Sequence, residues 1–207
     1  MRALRDYKLN NGLVTLSNVF FDPMKDIDND CYRFIDSLDK KMVLLGQCSN
    51  GNNQLHYALL LDHPFSVELV ALYPKLKDEP NAKGQYPVHF AAYHQSSLIP
   101  FMPNSVLLKD HLGFTPLHIA AEKGRYQHIP VLSDHDTLNF FNASPLHWSS
   151  KNTEKNALYR TNKIIFTKML YQQASQYYRV ENAIDMTPLN WMESSMSDKE
   201  IDFVLYS

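Results

Sequence analysis

Cysteine is nearly absent from this chain: Cys31 and Cys48 are the only two in 207 residues. Two thiols are too few for a disulfide scaffold and supply no CxxC pair for zinc, so a reducing, intracellular setting fits best. An excess of one charge sign is lacking as well, since 20 Lys plus Arg stand against 22 Asp plus Glu. The resulting formal charge of −2 gives no electrostatic reason to expect nucleic acid or an acidic membrane as partner. Long apolar runs are also missing, and no window approaches the roughly 18 residues needed to span a bilayer. The N-terminal stretch MRALRDYKLNNGLVTLSNVFFDP has no continuous apolar region of the kind a secretory signal carries. A soluble, cytoplasmic chain is expected. What remains is 44% hydrophobic and 20% charged, enough to bury a sizeable core in one or two domains.

What the chain does contain is a repeat. GFTPLHIAA from Gly113 to Ala121 aligns without a gap with GNNQLHYAL from Gly51, GQYPVHFAA from Gly84, NASPLHWSS from Asn142 and DMTPLNWME from Asp185. The first position of the motif recurs at intervals of 33, 29, 29 and 43 residues. Each motif residue has a physical task. Pro116 suits a first helical turn, where its fixed φ matches the helix and its missing N–H is no loss, and Thr115 offers an oxygen as N-cap. Leu117, Ala120 and Ala121 form an apolar stripe whose alanines let a neighbouring helix approach. Gly124 stops the helix by accepting a left-handed conformation. Tyr126, Ile129 and Leu132, three apart, line a return helix. In the last copy Ser197 and Glu200 have the spacing of a capping box ahead of Ile201, Val204 and Leu205.

This pattern resembles the ankyrin repeat, a unit of about 33 residues with a T-P-L-H-x-A signature. The resemblance covers about 50–207 and is most complete in the third copy, which adds Asp110 three residues before Gly113. It implies an all-α solenoid of helix-turn-helix units joined by short hairpin loops. Five units are expected over 50–207, starting near 48, 81, 110, 139 and 182, with residues 1–49 as an N-terminal helical cap region. Within that region Cys31 to Leu45 has a helical apolar period at Phe34, Ile35, Leu38, Met42 and Leu45. Pro100 and Pro130 fall where second helices belong, so those helices should be short. The 43-residue interval places an insertion near 151–162, expected in a loop or at a helix end. The C-terminal VLYS has no obviously polar capping helix; either the fifth unit caps itself or the chain was cut from a longer parent.

The nine histidines are the obvious candidates for chemistry. His56, His89, His118 and His147 occupy the same place in successive units, so stacking sets them in a ladder and does not converge them on one atom. In ankyrin repeats the matching histidine is structural, bonding backbone of the adjoining turn. An active site would need a nucleophile and an orienting third group within reach, and none is placed. Asp26, Asp28 and Asp30 imitate a calcium loop, but Cys31 and Ser37 stand where Gly and Glu are required; they read better as helix-start acids. Cys31 and Cys48 read as small buried hydrophobes rather than nucleophiles. The sequon at Asn142 lies in a repeat turn and reads as coincidence. No phosphate-cradling glycine loop and no zinc spacing are found, so no cofactor and no metal are expected.

Ankyrin arrays commonly contact partner proteins through hairpin tips and the exposed side of the first helix. Carried onto this chain, those positions are Ala82, Lys83, Gln85, Tyr93 and His94 in the second unit. The third unit contributes His111, Leu112, Phe114, Glu122 and Lys123, and the fourth Phe140, Phe141, Ala143 and Lys151. Aromatics at hairpin tips suit interfaces, where they supply much of the binding energy; Phe140 and Phe141 either serve that role or fold back onto the preceding short helix. The expected function is therefore a non-catalytic, monomeric protein-interaction module using the concave face of units two to four. The alternative is the targeting domain of a larger enzyme, such as a secreted bacterial effector acting in a host cell.

Overall fold

A computed structural model of the chain describes residues 23, 27–94, 97–132, 137–151 and 155–206. Asp26, Asn152 to Glu154 and nearly all of the N-terminal stretch lie outside them, so neither the whole aspartate triplet nor the start of the expected insertion is described. Among the described residues the regular elements are α-helices and short 3-10 helices, with no strand. The α-helices are α1 (Asn29–Asp39), α2 (Gln54–Leu60), α3 (Phe65–Leu72), α4 (Pro87–Tyr93), α5 (Pro116–Lys123), α6 (Pro145–Ser150), α7 (Ala157–Gln173), α8 (Pro188–Ser195) and α9 (Asp198–Tyr206). α2, α4, α5, α6 and α8 pack one against the next, and the remaining elements form a second layer. The result is a helical repeat solenoid.

Every unit begins with the same hairpin. In the third, the Asp110 carboxylate accepts the N–H groups of Leu112 and Phe114, both at 2.9 Å. Asn81, Asn139 and Asn182 do the same for their own turns, each through its side-chain oxygen. The residue three further on takes a left-handed backbone: φ is +78° at Gly51, +74° at Gly84 and +82° at Gly113. In the fourth and fifth copies the position belongs to Asn142 (+53°) and Asp185 (+59°), residue types whose short polar side chains tolerate that region. Adjacent hairpins are stitched together as Ala82, His111, Phe140 and Ala183 donate their N–H groups to the carbonyls of Asn50, Lys83, Leu112 and Phe141.

The first helices are short because both ends are specified. Thr115 and Ser144 cap α5 and α6 in paired hydrogen bonds with the histidine three residues on. Gly124 closes α5 at φ +66°, and the Arg125 N–H returns to the carbonyl of Ala120 at 2.9 Å. The expected stripe of Leu117, Ala120 and Ala121 proves too narrow, since every residue from Pro116 to Ala121 is buried. Neighbours on both sides and a second layer leave such a helix no solvated face. The position directly after each histidine is occupied by Tyr57, Phe90, Ile119 and Trp148, and after Asn190 by Trp191; all five are at most 2% exposed. They form the spine of the core.

The second layer is irregular, as the prolines require. Pro100 lies in a 3-10 turn, Ile99–Phe101, and the return segment of the third unit is another, Tyr126–His128, ending before Pro130. The described part of the insertion extends a helix instead. Asn156 caps α7 by accepting from Leu158 and Tyr159, and that helix runs 17 residues. Ser197 and Glu200 form half of the expected capping box: the Ser197 N–H and hydroxyl both donate to the Glu200 carboxylate, at 2.7 and 2.9 Å, while the Glu200 N–H goes to the Ser197 carbonyl. The same carboxylate takes Nε of Arg160 at 2.8 Å, fastening α9 to α7.

The cap helix α1 is shorter than its apolar period suggests. Asp28 caps it by accepting the Cys31 N–H at 3.0 Å, the helix-start role expected of these acids. It ends at Asp39 because Lys41 turns left-handed (φ +50°) and Met42 donates back to the Ser37 carbonyl at 3.0 Å. Met42 and Leu45, expected on the buried side, are exposed. Gln54, the first residue of α2, joins cap to array: its amide donates to Ser37 Oγ and to the Met42 carbonyl, both at 2.6 Å, and its oxygen accepts the Leu44 N–H.

Candidate functional site

The ladder of histidines is present and fully enclosed. His56, His89, His118 and His147 are all 0% exposed. Each Nδ1 accepts the backbone N–H of its own N-cap residue, at 3.1 Å from Asn53, 3.1 Å from Tyr86, 3.2 Å from Thr115 and 3.0 Å from Ser144. Each Nε2 faces a carbonyl further along the chain: in the following unit for the first three, Gln85 at 3.0 Å, Phe114 at 3.1 Å and Ala143 at 3.0 Å, and just ahead of the fifth hairpin for the last, Val180 at 2.8 Å. A carbonyl can only accept and an N–H can only donate, so these partners assign the neutral tautomer with its proton on Nε2. Burial opposes a second proton and lowers the His56 pKa to about 3 and the His147 pKa to about 4. His89 is shifted down for the same reason. Imidazoles with both nitrogens engaged in backbone bonds hold the units together.

The residues singled out as a possible contact surface divide into three groups. At the hairpin tips Lys83, His111, Leu112 and Phe140 are exposed, with Phe140 at 64% and Leu112 at 43%. Ala82 is exposed beside them, and Gln85 is half-buried with its side-chain oxygen accepting from Asn81 at 3.0 Å. Phe114 and Phe141 do not belong to the surface. They are 6% and 8% exposed and meet edge to face at 6.2 Å, while the Phe114 ring lies 5.1 Å from that of Trp148. Ala143 is buried too. Of the two adjacent phenylalanines, Phe141 packs inward against Phe114 and Phe140 is left outside. The sequence motif alone does not say which of the two faces inward.

The third group lies at the C-terminal ends of the first helices. Tyr93, His94, Glu122, Lys123 and Lys151 are all half-buried. Lys123 Nζ stands 4.9 Å over the Tyr93 ring and pairs with Glu122 at 2.9 Å. Lys151 Nζ lies 5.5 Å over the ring of Trp191. Burial lowers the Lys151 pKa, an effect that the Glu122 carboxylate opposes. Burial, and then the Arg125 charge, also lower that of His94. Arg125 was not anticipated here. Its Nε donates to the Tyr93 carbonyl at 3.0 Å, and its guanidinium stands 5.8 Å over Tyr159. Tyr159 and Leu158 belong to the insertion and are exposed. Their signal in the sequence was the long 43-residue interval, which reads as extra chain without saying that the extra turns of α7 land beside Arg125.

Among the described residues no group of three or more His, Cys, Asp or Glu is placed to hold a metal ion, and no helix is long and apolar enough to cross a membrane. No protein-family model matches the chain. Two curated proteins resemble part of it: Inversin from Homo sapiens and Inversin from Canis lupus familiaris, each 27% identical over 103 residues. The match covers 45% of this chain and 10% of each relative, so it spans about a tenth of the relatives' length.

Proposed function

We propose that this chain is a non-catalytic protein-binding module of the ankyrin type. The observation that carries the reading is the division of labour within each repeat. The recurring histidines are consumed in joining one unit to the next, while side chains that differ between units, above all Leu112 and Phe140, stand in solvent at the hairpin tips. Exposed apolar side chains beside polar ones are the composition of a contact surface. The Asx-closed hairpins, the T-P-L-H signature and the partial similarity to Inversin support the ankyrin assignment. The surface runs from Lys83, His111, Leu112 and Phe140 at the tips along the first helices to Tyr93, His94, Glu122, Lys123 and Lys151 at their C-terminal ends.

The test is a parallel affinity capture with the intact chain and with a Leu112→Ser/Phe140→Ser variant, reading retained proteins by mass spectrometry. Specific partners of the intact chain should be lost from the variant while its helical circular dichroism is unchanged. An identical retained set would overturn the surface.

A further inference from the structure

Cys31 and Cys48 play no part in the binding surface, yet the fold brings them together. Cys31 lies in the first turn of α1, Cys48 in the hairpin that opens the first repeat, and their Sγ atoms are 2.8 Å apart. A disulfide requires about 2.05 Å, so the sulfurs would need to close by less than about 1 Å. We propose that this pair is a site of oxidative modification, at which a peroxide joins the cap helix to the first repeat through a Cys31–Cys48 disulfide.

The backbone on both sides is already fastened. Asp28 accepts the Cys31 N–H at 3.0 Å and also bonds Ser49 Oγ, while Asp30 accepts the Ser49 N–H at 2.8 Å. The turn carrying Cys48 is closed by bonds from Cys48 N–H to the Asn52 carbonyl (2.9 Å) and from Gly51 N–H to the Cys48 carbonyl (2.8 Å). Two thiols held at contact distance on tethered backbones need little further ordering to react with each other. Cys48 Sγ is also set by its own polar neighbours, Asn50 Oδ1 at 2.9 Å and Tyr57 Oη at 3.2 Å.

Both cysteines are buried, Cys31 at 0% and Cys48 at 6%, so the oxidant has to be small and Cys48 is the first reached. The Cys48 thiol, whose pKa burial raises, gives up its proton and its sulfur attacks one oxygen of hydrogen peroxide; the O–O bond breaks, the departing hydroxide takes up that proton and leaves as water, and Cys48 becomes a sulfenic acid. Cys31 sulfur then attacks Cys48 sulfur; the S–O bond breaks, and the leaving hydroxide takes the Cys31 thiol proton and departs as a second water. Two thiols are oxidised to one disulfide, and one peroxide is reduced to two waters. The bridge closes the chain between positions 17 apart and holds α1 on the array, which restricts the unfolded chain and keeps Phe34 and Leu38 docked. In a reducing compartment the pair rests as the dithiol.

The experiment treats the purified full chain with stoichiometric hydrogen peroxide at neutral pH under native conditions. Intact mass should fall by two hydrogens, non-reducing peptide mapping should return a Cys31–Cys48 linked peptide, and the thermal midpoint should rise by several degrees and return with dithiothreitol. Cys31→Ser and Cys48→Ser should each lose the linked peptide, with melts of the reduced variants reporting that they fold. Addition of oxygens to Cys48 without a link, links only between molecules, or a link that forms only in denaturant would each overturn the assignment.

Discussion

The Nε2–H of His118 donates to the carbonyl of Ala143 at 3.0 Å, across 25 positions of sequence and between two consecutive repeats. That carbonyl also accepts the Asn139 N–H that closes its own hairpin. One oxygen thus ties the turn of the fourth unit to itself and to the helix of the third. Replacing His118 by alanine removes one of the two donors to that oxygen and orphans the Thr115 N–H. The expected cost is about 2–4 kcal/mol. His118→Asn should cost less, because Asn190 at the same place in the last unit keeps the cap bond, its Oδ1 accepting the Thr187 N–H at 2.9 Å. Urea unfolding of the two variants checks the order; equal losses would contradict it.

The buried imidazoles also make stability depend on pH. An unfolded histidine titrates near 6.5, whereas folding lowers His56 to about 3 and His147 to about 4, with His89 shifted the same way. Between those values the unfolded chain binds protons that the folded chain does not. Stability is therefore fully present above pH 6.5 and falls as the pH drops toward 4 and then 3. Each such histidine contributes a slope of roughly 1.4 kcal/mol per pH unit in that window. Thermal melts at about pH 7.5, 6.5 and 5.5 should show little change over the first step and a marked drop over the second. A flat profile would show that the imidazoles accept protons in place.

Phe114 and Phe140 should separate stability from binding. Phe114→Ala empties a site against Phe141 and Trp148, with an expected loss of about 3–5 kcal/mol. Phe140→Ala removes an exposed ring and should change stability by no more than about 0.5 kcal/mol. Any effect on partner capture belongs to the second variant. The two together, measured by chemical denaturation and by capture, distinguish a core ring from a contact ring. A Tyr93/Phe114 double alanine variant would mix the two effects.

Gly51 and Gly46 offer a control on how closely the hairpins pack. Both have positive φ, +78° and +99°. A Cβ at Gly51 would fall 2.4 Å from the backbone nitrogen of Ala82, whereas one at Gly46 would meet nothing within 4 Å. Gly46→Ala should therefore cost only the backbone strain, about 1 kcal/mol. Gly51→Ala should cost at least twice that, since it also pushes apart the first and second hairpins. Similar midpoints for the two variants in thermal denaturation would count against the tight stacking.

The sequence alone determined the repeat. Its five aligned motifs are legible because their requirements are local: a residue that accepts positive φ and a cap in all five, and in four of them an Asx side chain to close the turn and a proline in the first helical turn. Local rules also predicted the shortened return segments at Pro100 and Pro130. The structural role of the histidines was legible too, since a stacked array cannot converge them. What only the tertiary structure decided depends on neighbours far along the chain. Whether Phe140 or Phe141 faces solvent is set by packing against Phe114, 27 positions away from Phe141. That α1 stops at Asp39 reflects Lys41 turning left-handed and Gln54 binding the freed backbone, which an apolar period running to Leu45 cannot reveal. The meeting of Cys31 with Cys48, and of Arg125 with Tyr159, likewise arises only when the chain is stacked. Turns and caps are written in a few adjacent residues, whereas the side chains that face outward are chosen by the whole array.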